Sequence, residues 1–347
     1  MITHVRIQNF RSFLDAEVDL QPFSLVVGAN GSGKSNLLKF FAAISGDVQS
    51  ATVDGDNYGA TVEQHKGPFK LTNISNPKWV RHQNSAQQPV GFEVKVDGLD
   101  VRGFQGRVVL TTLLNKPFLP WQGKGLPIFN IDPEKVSAVE QTIPAAAVKA
   151  TGEGTAQVLD ALKNGDREDL FDRIEENFRR YVPEVEKLSL RTVENGKKQI
   201  QVRERGLKVS VPATELSEGT RLILCILTIL HQENPPPVIL LEDIDRGMHP
   251  RLFEYVAPLM RDIAVRNNIS ILATTHNPYL VDCFQDHKEA IIIVEKKDGA
   301  STLTTLAKKI EGLDYDTVDP EDMPLGSLWY SGLVGGAPKK LSGEPRH

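Results

Sequence analysis

The sequence has few cysteines, no long apolar run and no excess of positive charge. Among its 347 residues are only two cysteines, Cys225 and Cys283. Both lie in apolar stretches, which favours buried thiols in a reducing compartment over a disulfide framework. No run reaches the roughly eighteen apolar residues of a membrane helix, and the segment from Met1 to Leu20 lacks the apolar core of a signal peptide. We therefore expect a cytoplasmic protein that does not contact membranes.

The charge balance is slightly acidic, with a formal net charge of −5 and a pI of about 6.0. The sequence thus lacks the overall basic character of many nucleic-acid-binding proteins, and any contact with DNA would need a local basic patch. The hydrophobic share of 40% is enough for a sizeable core. Length alone allows either two domains or one large α/β unit.

The most informative stretch runs from Gly28 to Ser35 and fits the phosphate-binding pattern G-x-x-x-x-G-K-[ST]. An apolar run ending at Val27 predicts a strand before it, and a helix is predicted from Lys34. Backbone N–H groups of such a loop, with the positive end of the helix, surround a polyphosphate. Lys34 would lie near the β- and γ-phosphates, and the Ser35 hydroxyl would bind Mg²⁺.

A glycine-rich turn without a ligand is the alternative, but the complete pattern in this setting favours a nucleotide site. The predicted nucleotide contacts of the loop are Asn30, Gly31, Ser32, Gly33, Lys34, Ser35 and Asn36.

Two acids follow the apolar run from Val238 to Leu241. At the end of a buried strand, Glu242 would hold Mg²⁺ through its water shell. Asp243 would lie beside the γ-phosphate and polarise the attacking water. Two acids after a strand can also form an ordinary surface turn, but the phosphate loop upstream favours a catalytic role.

A strongly apolar helix is predicted from Leu216 to Gln232, and the stretch from Leu216 to Arg221 lies at its beginning. Free N–H groups in the first turn of this helix, together with the Ser217 hydroxyl, could bind a γ-phosphate. A plain helix cap explains Ser217 as well, and the residues alone favour the cap.

A histidine closes the predicted strand from Ile269 to Thr274. His276 would lie at the carboxyl end of this strand, on the same sheet edge as the phosphate loop, where an imidazole can hydrogen-bond a γ-phosphate or the attacking water. An ordinary loop histidine is the alternative. His249 is a weaker candidate, and we expect it to cap the next helix.

The pattern as a whole predicts an α/β fold with a mainly parallel sheet, because apolar strands alternate with helices in the last third of the chain. The further predicted strands lie at Ile2 to Ile7, within Pro68 to Thr112, Leu188 to Val193, Gln199 to Val202, Leu207 to Val209, and Ala290 to Val294. The further predicted helices lie at Gln157 to Leu162, Leu170 to Tyr181, Arg251 to Asn267, and near Pro278 to Phe284. The predicted irregular regions are a polar loop from Gly46 to about Gly67 and a crossing from Asn115 to Pro144.

Four motifs, taken in chain order, resemble those of the ATP-binding-cassette (ABC) ATPase heads of the SMC, RecF and OLD-type group. They are the phosphate loop, the stretch from Leu216 to Arg221, which is similar to the signature of those heads, the two acids after the strand, and His276. The opening Ile7-Gln8-Asn9-Phe10-Arg11-Ser12-Phe13 is similar to the first strand of those heads, where the residue matching Arg11 approaches the nucleotide. A solvated arginine at a strand end is the alternative. The stretches Glu242 to Pro250, Val182 to Val185 and Leu325 to Gly332 more narrowly resemble bacterial RecF-like AAA ATPases.

This resemblance implies a P-loop NTPase fold with a mainly parallel sheet core, an antiparallel β subdomain and a helical lobe. Residues 1–45 and 207–310 would form the nucleotide-binding core, 46–206 an inserted lobe and 311–347 a C-terminal extension. The implied cofactors are ATP and Mg²⁺. The implied assembly is a head-to-tail homodimer formed on ATP binding, in which Ser217 and Gly219 act in trans. Related heads usually have Glu at the position of Asp243, so the shorter Asp predicts slow hydrolysis.

The resemblance also suggests partners. DNA, or a nuclease or other effector protein, would be the partner in DNA repair or defence against foreign DNA. A slowly hydrolysing, ATP-gated scaffold for a partner protein is the alternative, and a membrane transporter subunit is less favoured. Candidate phosphate contacts are Lys197, Lys198, Arg203, Arg205, Lys339 and Lys340, although solvated hairpin and tail charges explain them as well.

Other features of related heads are missing or cannot be placed. The glutamine that links the γ-phosphate to the second lobe is not identified, since Gln64, Gln87 and Gln88 have poor sequence contexts. No heptad coiled coil separates the phosphate loop from the signature, which argues against an SMC-type DNA-tethering arm. We also expect no OLD-type nuclease domain.

Overall fold

The structure is a computed structural model that describes residues 1–44, 51–53, 58–60, 69–70, 91–96, 99–104, 107–110, 125–143, 147–313 and 323–337. The chain forms two compact units. Unit 1 combines Met1–Leu126, Pro237–Leu240 and Ala264–His347, and unit 2 combines Pro127–Pro236 and Leu241–Ile263. The division into a core and a lobe inserted at residues 46–206 stays a prediction.

The strands and helices have the following bounds. In chain order the strands are β1 (Ile2–Phe10), β2 (Phe13–Asp19), β3 (Phe23–Val27), β4 (Ala51–Val53), β5 (Tyr58–Ala60), β6 (Phe69–Lys70), β7 (Gly91–Val96), β8 (Leu99–Phe104), β9 (Arg107–Leu110), β10 (Ile128–Phe129), β11 (Glu140–Gln141), β12 (Val185–Thr192), β13 (Lys197–Glu204), β14 (Val211–Pro212), β15 (Val238–Leu241), β16 (Ser270–Thr274), β17 (Ile291–Lys297) and β18 (Ala300–Thr305). The α-helices are α1 (Lys34–Ile44), α2 (Pro133–Val136), α3 (Thr155–Asn164), α4 (Glu168–Tyr181), α5 (Glu218–His231), α6 (Phe253–Asn267), α7 (Pro278–Asp282), α8 (Leu306–Glu311) and α9 (Leu325–Tyr330).

The centre of the sheet in unit 1 is parallel. Strand β3 lies between β16 and β17 and runs parallel to both. Every residue of β3 and β16 is buried, as expected for strands that are covered on both faces. Strand β15 is the next neighbour of β16. The predicted α/β fold with a mainly parallel core is thus confirmed.

The same sheet continues into an antiparallel part. From β15 the strand order is β15-β16-β3-β17-β18-β2-β1-β7-β8-β9-β6-β4-β5. Strands β1, β7, β8 and β9 pair antiparallel in succession. The antiparallel strands predicted between residues 68 and 112 therefore extend the sheet that carries the phosphate loop.

Helix α1 begins at Lys34, as predicted, and supplies much of the core of unit 1. Leu37, Leu38, Phe40 and Phe41 are fully buried. The Phe40 ring meets the Phe10 ring edge-on with centroids 5.4 Å apart. The apolar side of the helix thereby fixes the direction in which the chain leaves the phosphate loop.

Unit 2 is a helical layer packed on a small second sheet. Its sheet has the order β11-β13-β12, with β14 paired to β13. Helix α4 packs on β12 and α5, and α3 packs on β13. The five buried side chains of α4 recur along one face of the helix, which explains why its amphipathic pattern was readable from the sequence. They are Leu170, Phe171, Ile174, Phe178 and Tyr181.

Three predicted segments differ in the structure. Leu207 to Val209 do not form a strand: the chain bends at residues 208 and 209, and the strand follows at Val211–Pro212. Leu207 and Val209 are 45% and 69% exposed, so no core holds them in an extended ladder. Between residues 125 and 143, the predicted irregular crossing contains β10, α2 and β11. Asp132 caps α2, accepting a hydrogen bond from the Glu134 N–H at 3.0 Å. The predicted polar loop from Gly46 contains β4 and β5, which pair antiparallel.

The two cysteines differ in burial. Cys225 is fully buried, and this raises the pKa of its thiol to about 12, so it stays protonated near neutral pH. Cys283 is only partly buried, so the expectation of burial holds for Cys225 alone. Within the described ranges, no helix combines the length and the apolar character that a membrane span requires.

Candidate functional site

The phosphate loop in unit 1 requires glycine at Gly28 and Gly33. Their φ angles are +156° and +122°, and Gly31, between them, has a φ of +73°. A Cβ at Gly28 would overlap the Val294 carbonyl, and one at Gly33 would lie 2.6 Å from Ser301 Oγ. The loop therefore owes its course both to left-handed backbone and to close contact with neighbouring strands.

Lys34 is folded against the loop that it follows. Its Nζ donates to the carbonyls of Gly28 at 2.8 Å and Ala29 at 3.2 Å, and the residue is only 7% exposed. A buried ammonium beside the inner carbonyls of the loop can transfer its hydrogen bonds to phosphate oxygens without a large movement.

The remaining loop residues differ in exposure. Asn30 and Gly31 are exposed, whereas Ser35 and Asn36 are half-buried. Ser32 is 3% exposed, and its Oγ has no hydrogen-bond partner among the described residues. A buried hydroxyl without a partner is costly unless a ligand satisfies it, and it fits a loop that binds an anion.

Two residues that support the loop were not predicted. Ser301 Oγ donates to the Ser32 carbonyl, and the Ser301 N–H donates to the Ser12 carbonyl at 2.6 Å. Ser12 Oγ in turn accepts from Asn36 Nδ2 at 2.9 Å. No sequence signal marks Ser301, since it lies in an ordinary alternating strand.

Arg11 follows the end of β1 in left-handed backbone, with a φ of +53°. Its guanidinium carbon lies 5.8 Å from the centroid of the Phe10 ring. The Nε atom is buried and has no hydrogen-bond partner among the described residues. Arg11 is therefore half-buried rather than fully solvated, and its contact with nucleotide stays a prediction.

His276 lies at the predicted sheet edge. Thr274 pairs in parallel register with Val26, so the segments after β16 and β3 leave the sheet on the same side. His276 is exposed. The next residue, Asn277, caps α7 through a hydrogen bond from the Tyr279 N–H at 3.0 Å, which fixes the backbone immediately after the histidine.

In unit 2, the two acids after β15 occupy a tight turn. The Glu242 N–H donates to the Phe129 carbonyl at 2.8 Å, and Glu242 is half-buried. Asp243 is exposed and has a φ of +50°, which aspartate tolerates better than most residues. The Arg246 N–H donates to the Asp243 carbonyl at 3.1 Å and closes the turn.

Ser217 caps α5, as the structural alternative predicted. Its Oγ accepts from the Thr220 N–H at 3.2 Å, while the residue itself is exposed. Gly219 is buried, and a Cβ there would lie 2.5 Å from the Gly247 carbonyl. The signature helix is thus packed directly on the turn that follows the two acids, and Gly219 has a packing role whatever else it does.

Arg221 is a buried anchor. Its Nη1 donates to Glu134 Oε1 at 2.7 Å, Ser137 Oγ at 3.2 Å and the Pro133 carbonyl at 3.4 Å. The side chain therefore ties α5 to α2.

Each of the remaining candidates is a capping or ion-paired residue, an exposed basic residue, or a residue outside the described ranges. His249 Nδ1 accepts from the Arg251 N–H at 3.3 Å, which is the expected cap. Lys198 pairs with Asp160 at 3.1 Å, and Arg203 with Glu186 at 3.0 Å. Lys197 and Arg205 are exposed. Gln64, Gln87, Gln88, Lys339 and Lys340 lie outside the described residues.

The donor set suits ATP and Mg²⁺. The orphaned Ser32 hydroxyl, the glycine loop and Lys34 offer anion donors. In unit 1 the Ser35 hydroxyl, and in unit 2 the Glu242 carboxylate, are each an oxygen ligand of the kind that Mg²⁺ prefers alongside phosphate and water. Within the described residues, no group of three or more His, Cys, Asp and Glu side chains is placed to hold a metal ion by itself.

Two parts of the chain match known protein families. Residues 1–88 match the family described as "AAA ATPase domain", and residues 155–282 match the family described as "AAA domain, putative AbiEii toxin, Type IV TA system". No curated protein matches the sequence.

SMC heads are among the solved structures with the same fold. One is the SmcHead bound to the C-winged helix domain of ScpA, with 18% identity, coverage of 89% of this chain and 99% of that chain, and a TM-score of 0.50. Another is the Smc head domain with an extended coiled coil bound to the C-terminal domain of ScpA derived from Pyrococcus furiosus, with 15% identity, coverage of 91% and 99%, and a TM-score of 0.51. At this identity the likeness shows the fold. Together, the fold and the two partial ATPase-domain matches support an SMC/RecF-like ABC-type ATPase head.

Proposed function

We propose that this chain binds ATP with Mg²⁺ at the phosphate loop and hydrolyses it slowly. The observation that carries the proposal is the loop itself: Lys34 is buried against the inner carbonyls, and Ser32 presents a buried hydroxyl with no partner among the described residues. Lys34 and the loop N–H groups would bind the phosphates, with Asn30, Gly31, Gly33 and Asn36 in the same contact set and Arg11 beside the nucleotide.

The catalytic roles follow from residue chemistry and from the resemblance. Ser35 and Glu242 would hold Mg²⁺, which neutralises charge on the phosphates. Asp243 would polarise the attacking water, and His276 would hydrogen-bond the γ-phosphate. The Asp243 side chain is one methylene shorter than the Glu of related heads, and this supports slow hydrolysis.

The same proposal includes an ATP-dependent homodimer, with Ser217 and Gly219 of one copy facing the phosphate loop of the other. Ser217 is exposed at the start of α5, where the N–H groups of the first turn can meet an anion. ATP held between two copies would favour the dimer, and hydrolysis would release it.

The dimer would act on DNA, in repair or in defence against foreign DNA, with a nuclease as a candidate partner. The matched family whose description includes a toxin–antitoxin system supports the defence role. A scaffold that binds a partner protein is the second candidate. It is favoured by the ion pairs that occupy Lys198 and Arg203, and by the SMC heads that are bound to ScpA.

Steady-state ATP turnover, measured with and without duplex DNA and with Lys34→Ala as the blank, separates the two candidates. A DNA-acting enzyme should turn over ATP above the blank and faster with DNA. A scaffold should dimerise with ATP, as measured by light scattering. Its ATP turnover should be slow and should have the same rate with and without DNA. Turnover in Lys34→Ala equal to that of the wild type would contradict both.

A further inference from the structure

A segment near the C-terminus contacts both the phosphate loop and the helix that follows His276. This segment, residues 325–337, consists of α9 and the glycine-rich turns after it. We name it the C-terminal brace. Its residues have none of the roles assigned above.

The end of the brace lies against the start of the phosphate loop. A Cβ at Gly336 would lie 3.8 Å from the Gly28 Cα and 2.6 Å from Ile293 Cγ2. At Gly28 itself, the Val294 carbonyl leaves no room for a Cβ. Gly28, where the chain turns out of β3, therefore lies close to both β17 and the brace.

A carboxylate on β17 fixes this end of the brace. Glu295 Oε1 accepts from the Gly336 N–H at 3.2 Å, and Glu295 Oε2 is paired with Lys309 Nζ. A Cβ at Gly335 would overlap the same carboxylate. Glu295 directly follows Val294, so the residue that holds the brace is adjacent to the carbonyl that lies close to Gly28.

The beginning of the brace is fixed to α7. The Gly326 N–H donates to Asp282 Oδ1 at 2.7 Å. A Cβ at Gly326 would overlap the Pro278 carbonyl, so the two backbones are in direct contact. Pro278 is the first residue of α7 and lies two residues after His276. One short segment thus contacts the chain beside two predicted parts of the site.

A tryptophan lies between these two attachments. Trp329 is 3% exposed, and its Nε1 has no hydrogen-bond partner among the described residues. A Cβ at Gly336 would lie 3.4 Å from this nitrogen. A close-packed indole responds to small displacements of its neighbours, because such interiors have little free volume.

We propose that the C-terminal brace is a positioning element of the nucleotide site, which sets the start of the phosphate loop relative to the helix after His276. Nucleotide binding at the loop then changes the surroundings of Trp329. Gly336 and Glu295 are positioning residues that act through Gly28. This inference rests on the proposed binding of ATP at the loop.

Trp329 can report the effect directly. The chain has three tryptophans, and the replacements Trp79→Phe and Trp121→Phe leave Trp329 as the only one. In this background we expect MgATP to shift the Trp329 emission in a saturable way. Affinity is measured separately with a fluorescently labelled ATP analogue.

Two glycines provide a matched pair for the affinity measurement. Gly336 and Gly332 both have left-handed backbone, with φ of +72° and +84°, but a Cβ at Gly332 meets only the Ala337 Cβ, at 3.9 Å. Gly336→Ala should weaken nucleotide binding by at least about fivefold, because the added methyl group overpacks a filled site, whereas Gly332→Ala should not.

A second pair covers the case in which Gly336→Ala does not fold. Glu295→Ala removes the acceptor of the Gly336 N–H and should weaken nucleotide binding. Glu295→Gln keeps an acceptor oxygen and should restore most of the affinity.

The outcomes separate the brace from the proposed function. Lack of ATP binding by the wild type, or equal binding by Lys34→Ala, contradicts the proposed function. If the wild type binds ATP and Lys34→Ala does not, then an unchanged Trp329 emission at saturating ATP contradicts the proposed role of the brace. Equal nucleotide affinities of the folded Gly336→Ala and Gly332→Ala variants, or of the Glu295→Ala and Glu295→Gln variants, also overturn it.

Discussion

The predicted site residues of unit 1 and those of unit 2 are held in different ways. The inner side of the phosphate loop in unit 1 is supported by buried residues from other parts of the chain, such as Ser12, Ser301 and Gly336. In unit 2, Ser217 is held by a contact three residues away, and Asp243 lies in an exposed turn.

From this difference we infer that the residues of unit 1 determine nucleotide affinity, whereas those of unit 2 determine turnover. A site that must bind a ligand tightly benefits from a preorganised, well-supported shell. Exposed caps and turns are freer to meet a second surface, such as another copy of the chain. We therefore expect changes in unit 1 to affect nucleotide affinity, and changes in unit 2 to affect turnover at nearly constant affinity.

The largest expected effect is in unit 2. Asp243→Asn removes the carboxylate that would polarise water, so turnover should fall by roughly a hundredfold or more. Asparagine tolerates left-handed backbone as aspartate does, so the melting temperature and ATP affinity should stay unchanged. Single-turnover hydrolysis measures the effect. An unaltered rate would mean that another residue, such as Asp245, polarises the attacking water.

In unit 1, Gly33→Ala should destabilise the loop by about 1–3 kcal/mol, because its methyl group would press on Ser301 and Ser12. Gly31→Ala is the matched control, since Gly31 also has a positive φ but nothing lies within 4 Å of a Cβ there. Its cost should be about 1 kcal/mol from the backbone alone. Urea denaturation and nucleotide titration compare the two, and equal losses would contradict the role of Ser301.

Ser217→Ala should lower the free energy of unfolding by about 1 kcal/mol, the usual value of an N-cap. Ser217→Asn keeps the cap and should restore this stability. If Ser217 also contacts the γ-phosphate in trans, ATP turnover should stay reduced in the Asn variant. Recovery of both the stability and the ATP turnover in Ser217→Asn would mean that Ser217 acts only as the cap of α5.

The smallest expected effect concerns Glu140 in unit 2. Burial raises the pKa of the Glu140 carboxyl above its usual value, although it accepts hydrogen bonds from the Gly154 and Gln157 N–H groups. The folded chain therefore keeps a proton there at pH values where the unfolded chain has lost it. This contribution to stability is present at low pH and is lost as the pH rises through the raised pKa.

Glu140→Gln removes this titration and keeps an acceptor oxygen. The free energy of unfolding of the wild type, relative to that of Glu140→Gln, should therefore decrease as the pH rises from below the usual glutamate value to above the raised one. Urea denaturation over a pH series measures the difference, and a difference independent of pH would contradict the burial argument.

The sequence predicted those parts of the molecule that local patterns determine. The helix start at Lys34 and the strand Val238–Leu241 were found at their residues, because glycine patterns and apolar runs act locally. The strand predicted at Leu207 to Val209 was wrong, because a short alternation of apolar and polar residues does not show whether the apolar side chains have a core to pack against. The contact of Ser301 with Ser32 spans 269 residues, and nothing in either neighbourhood encodes it.

The two acids after β15 and the signature stretch, Leu216 to Arg221, show the same limit. Their residue types were readable, but the left-handed turn at Asp243 and the packing of Gly219 on Gly247 depend on tertiary structure. The sequence also did not predict that Arg221 is buried and bound to Glu134. Residue type alone does not distinguish an arginine that contacts nucleotide from one that has a structural role.

We expect the phosphate loop to bind ATP through Lys34. The decisive test is titration of a fluorescent ATP analogue, in the presence of Mg²⁺, into the wild type and Lys34→Ala. We predict saturable binding by the wild type, and affinity reduced by about a hundredfold or more in a folded Lys34→Ala variant, because a buried charge-assisted contact to phosphate is lost. Equal affinity of the two proteins would contradict it.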